Sequence, residues 1–91
     1  MVLEEVRLPK ITKAFIDRVQ APPKGYELHW DELVKGYGLR VSQPPAPGQP
    51  PRRSFIVMGR VNGKSVQFTI GAYGVFTEEV ARKRAQRLLQ D

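Results

Sequence analysis

The stretch SFIVMGRVNGKSVQFTI, Ser54 to Ile70, is two runs of alternating residues joined by Asn62-Gly63, and it reads as a β-hairpin. Asn-Gly is the preferred pair for a type I′ turn, because both central positions need a positive φ. A two-residue turn fixes the register: Val61 faces Lys64, Arg60 faces Ser65, Met58 faces Gln67 and Ile56 faces Thr69. The pleat then sends Phe55, Val57, Val66, Phe68 and Ile70 to one side, as a core face. Ser54, Ile56, Met58, Arg60, Ser65, Gln67 and Thr69 go to the other side, which is mostly hydrogen-bonding groups.

Outward from the hairpin, other elements fall into place. Tyr26-Glu27-Leu28-His29-Trp30 alternates as a strand, with Tyr26, Leu28 and Trp30 on its apolar face. Asp31 to Gly38 turns the chain on two glycines. Leu39-Arg40-Val41-Ser42 follows as a strand with Leu39 and Val41 inward and Arg40 and Ser42 on the outer face. Between Gln43 and Pro51 the run PPAPGQPP holds five prolines and a glycine, which reads as an exposed, extended loop. Thr12 caps a short helix over Lys13–Val19, ended by Ala21-Pro22-Pro23. Thr77 caps a C-terminal helix, with Glu78 and Glu79 in its first turn complementing the helix dipole. Val80, Ala81, Ala85, Leu88 and Leu89 form the buried stripe of that helix, and Arg82, Lys83, Arg84, Gln86 and Arg87 its remaining surface. The expected fold is α+β: a small three-stranded antiparallel sheet, with an extra short strand possible, against a C-terminal helix, plus a short N-terminal helix. Residues 1–10 read as a flexible lead-in and 11–91 as one domain.

Composition narrows the function. The chain of 91 residues has no cysteine and a single histidine, which leaves no disulfide, no thiolate metal site and no expectation of zinc. No apolar run reaches the length of a membrane helix and there is no signal-peptide core, so an intracellular, soluble protein is expected. Net charge is +6, of which +5 lies from Arg52 onward. Concentrated positive charge on a small domain favours a polyanion, and nucleic acid is the common one.

No active site is legible. Asp31-Glu32 reads as a turn pair that caps backbone donors. His29 has no nucleophile beside it, and Gly36-Tyr37-Gly38 lacks the helix and lysine that make a phosphate loop. Tyr26, Tyr37 and Tyr73 lack the basic activators a nucleophile needs. No catalytic residue, metal, cofactor or small-molecule substrate is expected. The outer sheet face is more informative, since a two-stranded ribbon fits the major groove of DNA. Arg40, Arg60, Gln67 and Thr69 carry side chains that match base edges, with Ser42, Ser54 and Ser65 beside them. Arg52, Arg53 and Lys64, at strand ends or the turn, are placed to hold phosphates. A half-exposed sheet also has a polar outer face for solvation alone, and these residues by themselves leave both readings open.

The order TKAFIDRVQAPPKGYELHWDELVKGYGLRVS, then SFIVMGRVNGKSVQFTIGAYGVFTEEVARKRAQRLL, closely resembles the N-terminal arm-type DNA-binding domain of phage-type tyrosine recombinases, the integrases of prophages and genomic islands. The similarity runs from Ile11 to Leu89. Its most specific parts are Gly38-Leu39-Arg40-Val41, Arg60-Val61-Asn62-Gly63, Thr69-Ile70-Gly71-Ala72-Tyr73 and Ala81-Arg82-Lys83-Arg84-Ala85. The resemblance implies a three-stranded sheet backed by a helix, its face laid in the major groove of arm sites on double-stranded DNA. It also implies that catalytic residues belong to a separate C-terminal domain, whose linker would begin near Asp91. The chain departs from the pattern in its less basic hairpin (Met58, Gly59, Ser65, Val66), in Gly74 where proline is common, in Val80 where glutamate is common, and in its longer proline loop. An alternative expectation is a protein-interaction module that contacts other integrase subunits through the Ile56/Met58 surface or the helix.

Overall fold

The structure is a computed structural model and describes residues 9–89. Most of the expected lead-in, and the expected linker start at Asp91, lie outside the described residues. The elements run α1 (Lys13–Arg18), β1 (Tyr26–Trp30), β2 (Tyr37–Ser42), β3 (Arg52–Val61), β4 (Lys64–Ala72) and α2 (Glu78–Leu88). The strands form one antiparallel sheet in the order β1-β2-β3-β4. The fold is α+β as expected, and β1 is a full fourth strand rather than an appendage.

Local sequence accounts for the boundaries. The Thr12 hydroxyl accepts from the Phe15 amide at 3.1 Å, and the Thr77 hydroxyl accepts from the Val80 amide at 3.2 Å, so both helices begin at their expected caps. Asn62 and Gly63 take φ of 53° and 79°, the type I′ geometry. The hairpin register is the expected one as far as Ile56↔Thr69. Beyond it a bulge leaves Ile70 extra, so that Phe55 faces Gly71. An alanine at Gly71 would overlap the Phe76 ring, which lies against that backbone.

Both helices pack on one side of the sheet, over Tyr37, Leu39, Val41, Phe55 and Val57, with Ile11, Ile16, Ala81 and Ala85 completing the core. The hairpin is longer than its neighbours. β2 stops pairing with β3 at Val57, so Met58–Val61 and the facing start of β4 continue as a two-stranded overhang. Met58 donates its amide to the Gly36 carbonyl at 2.7 Å, the last tie before the ribbon runs free. Four residues per strand make that overhang about 13 Å long.

Several expectations are corrected by packing. In β1 the apolar stripe faces outward: Tyr26, Leu28 and Trp30 pair with Ser42, Arg40 and Gly38, while His29 pairs with Leu39 and sits edge-on to Phe15. Gly38 is a strand residue, not a turn glycine, and Tyr37 beside it is fully buried. Phe68, expected in the core, is 48% exposed: it stands opposite Val57 on β4, the edge strand of the sheet. Val80 and Leu88, assigned to the buried stripe, are also largely exposed. Arg82, assigned to the helix surface, turns inward to a buried carboxylate, Asp31.

Candidate nucleic-acid interface

Neither described helix covers the far side of the sheet. Its residues are Tyr26, Leu28 and Trp30 from β1; Gly38, Arg40 and Ser42 from β2; Arg52, Ser54, Ile56, Met58 and Arg60 from β3; Ser65, Gln67, Thr69 and Ala72 from β4, as the pairings require. The strand residues of this face include three arginines and no carboxylate; Glu27 points to the helix side, opposite Val41, and Glu32 of the β1–β2 turn stands at the edge.

The face has an apolar centre that the residue pattern did not reveal. Gly38 leaves the space that the Trp30 ring fills: a Cβ there would come within 2.8 Å of the indole and 2.7 Å of the His29 carbonyl. The neighbouring Ile56 is fully buried although it faces away from both helices, and its ladder partner is Gly38, over which the indole lies. Trp30 and Met58 wall a shallow hollow of about 700 Å³, with Lys35 and Glu32 at its edge. The polar groups lie beside it on β2, β3 and β4. The Arg40 guanidinium sits over the Tyr26 ring at 5.9 Å.

The expected site residues separate into two groups. Arg40, Ser42, Arg52, Ser54, Arg60, Ser65, Gln67 and Thr69 share the outer face. Arg60, Ser65, Gln67 and Thr69 are exposed, and the first three sit on the overhang. Arg53 and Lys64 are on the opposite side, opposite Val41 and Val61. Arg53 is committed there: it donates to the Ile16 carbonyl at 3.1 Å and stacks on Tyr73 at 5.0 Å. Lys64 is exposed at the turn.

Behind the sheet, Asp31 anchors the scaffold. Its carboxylate accepts from the backbone amides of Ile11, Leu33 and Val34 at 2.9, 3.0 and 2.8 Å, and from the Arg82 guanidinium. Arg82 also donates to the Ile11 carbonyl at 2.8 Å and lies over the Tyr37 ring at 5.3 Å. Burial works to raise the Asp31 pKa, but the bonds from Arg82, Ile11 and Val34 outweigh it and hold the carboxyl below its ordinary value. Desolvation raises the Tyr37 hydroxyl well above the usual tyrosine range. These groups act as structure, and among the described residues no cluster of three or more potential metal ligands occurs. No described helix is long and apolar enough to cross a membrane.

Comparison with models of known families, with curated proteins and with solved structures found no match to this chain.

Proposed function

We propose that this chain is a double-stranded DNA-binding module of the arm-type integrase kind, which reads the major groove with the outer face of its hairpin overhang and takes part in site-specific integration. The observation that carries the reading is the outer face itself: Arg40, Arg52 and Arg60 with Gln67, Thr69 and three serines, and no carboxylate among the strand residues of that face. The shape favours the overhang as the reading element. Four strands at about 4.8 Å spacing span roughly 14 Å between outer backbones, wider than a groove of about 12 Å. The two-stranded overhang fits. Arg60 and Gln67 on it face the bases, while Arg40 and Arg52, set back on the wider sheet, meet phosphates.

Titration of labelled duplexes by fluorescence anisotropy at several salt concentrations tests this. For about three to five neutralised phosphates, log K falls with log[salt] with a slope of roughly −3 to −4.5. On a site obtained by selection, Arg60→Ala and Gln67→Ala cost about 1–3 kcal/mol and far less on scrambled duplex. A salt-independent affinity, or equal losses on both duplexes, would overturn the reading.

A second reading, contact with other subunits, is favoured by a different surface. On the helix side Val57, Phe68, Ile70, Leu88 and Leu89 line a groove of about 520 Å³ with Arg60 and Arg84 at its rim. Concentration-dependent self-association without DNA, lost in Phe68→Ser, supports it.

A further inference from the structure

The rung Met58↔Gln67 sets a thioether beside an amide on the outer side of the overhang. Partners on such a rung have Cβ atoms about 4.5–5.5 Å apart. Gln67 is exposed and Met58 half-buried, its open side bordering the Trp30 hollow. The neighbouring rungs differ: Arg60↔Ser65 is polar throughout, and Ile56↔Thr69 has its apolar member already sealed. Met58 is therefore the apolar side chain on the overhang's outer side that remains open to a ligand.

In the major groove an A·T pair presents the adenine N7 acceptor and N6 donor next to the thymine C5 methyl. A glutamine amide matches the adenine edge with two hydrogen bonds, its NH₂ donating to N7 and its carbonyl accepting from N6. An unbranched thioether alongside adapts its rotamer to cover a methyl group. A G·C pair shows N7 and O6 acceptors and the cytosine amino group, with no methyl. It would set Met58 against polar groups whose hydration is lost without replacement. We infer that the Met58–Gln67 rung reads one A·T pair, with Met58 as a specificity-determining residue that contacts the thymine methyl. This rests on the DNA reading of the outer face.

The experiment uses the chain at one fixed salt concentration with short duplexes that differ in single groups. One contains only A·T pairs, a second carries uracil for every thymine, and a third replaces A·T by inosine·cytosine. Loss of the methyl weakens binding about fourfold, the worth of one buried methyl group. Met58→Ala binds the thymine and uracil duplexes equally, and Gln67→Ala lowers the preference for A·T over inosine·cytosine to what the thymine methyl alone supplies. Equal affinity of the unaltered chain for thymine and uracil duplexes overturns the inference while leaving salt-dependent DNA binding in place. Retained discrimination in Met58→Ala also overturns it, because the methyl contact then lies elsewhere. Binding to no duplex overturns the DNA reading and this inference together. The thymine–uracil comparison needs no variant, so a misfolded mutant cannot imitate its result.

Discussion

Arg82 of α2 closes on the carboxylate of Asp31, 51 positions earlier in the chain, and the same guanidinium takes the carbonyl of Ile11. The Asp31 side chain is fully buried and that of Arg82 is 17% exposed. One ion pair thus joins the N-terminal segment, the β1–β2 turn and the last helix.

Removing one partner leaves the other charge in the interior without its nearest counter-charge. Arg82→Ala and Asp31→Ala are each expected to cost about 3–5 kcal/mol, read from urea unfolding followed by circular dichroism. The double variant should cost much less than the sum. Additive losses would mean that the two groups act independently.

Acid should find the same pair. The folded Asp31 pKa is depressed, with burial opposing and the Arg82 and backbone bonds prevailing. Its contribution is therefore fully present above the unfolded-chain carboxylate value of about 4 and is lost as pH falls through the lower folded value. Asp31→Asn should flatten the fall in stability below pH of about 4. An unchanged acid limb would assign that limb to other carboxylates.

Two phenylalanines on the same face of the hairpin should behave differently. Phe55 is fully buried, between Tyr37 and Tyr73, and Phe55→Ala should cost about 3–5 kcal/mol. Phe68, half exposed, should cost only about 1–2 kcal/mol when cut to alanine. Equal losses in thermal or urea melts would place Phe68 in the core beside Phe55.

Gly38→Ala tests the packing of Trp30 over Gly38. The added methyl meets the His29 carbonyl, which cannot give way without moving β1, and the indole above it. A loss of about 1–3 kcal/mol is expected. Gly25→Ala, in open space but at φ of 68°, should cost about 1–2 kcal/mol, through backbone strain alone. If Gly38→Ala costs nothing, the indole does not lie where Gly38 leaves room for it.

The local grammar of this chain was legible, and what was missed depends on long-range partners. Thr12, Thr77 and Asn62-Gly63 act through neighbours within four residues, so caps and turn could be read directly. Alternation in Tyr26–Trp30 shows which residues share a face but not which face lies inward; pairing with β2 decides that, and the space at Gly38 lets the bulky stripe face out. Arg82 stands beside Ala81 and three residues before Ala85, at the edge of the buried stripe. Its partner comes from a distant turn, so a helical pattern alone gave it to solvent. In the candidate site, the odd–even separation of Arg52 from Arg53 follows from the same β2–β3 register, which strand-end position does not supply. One signal was present but unread: a glycine in a strand, facing the chain's single tryptophan.

That tryptophan gives the molecule its own reporter. Trp30 is half-buried on the outer face, beside the base of the overhang, and no other indole competes with its emission. A ligand settling on this side removes water from the ring and shifts or quenches its fluorescence. One docking in the groove of Phe68 and Leu88, across the thickness of the sheet, leaves the spectrum nearly unchanged. Without any label, the colour of the emitted light tells which side of the protein has been occupied.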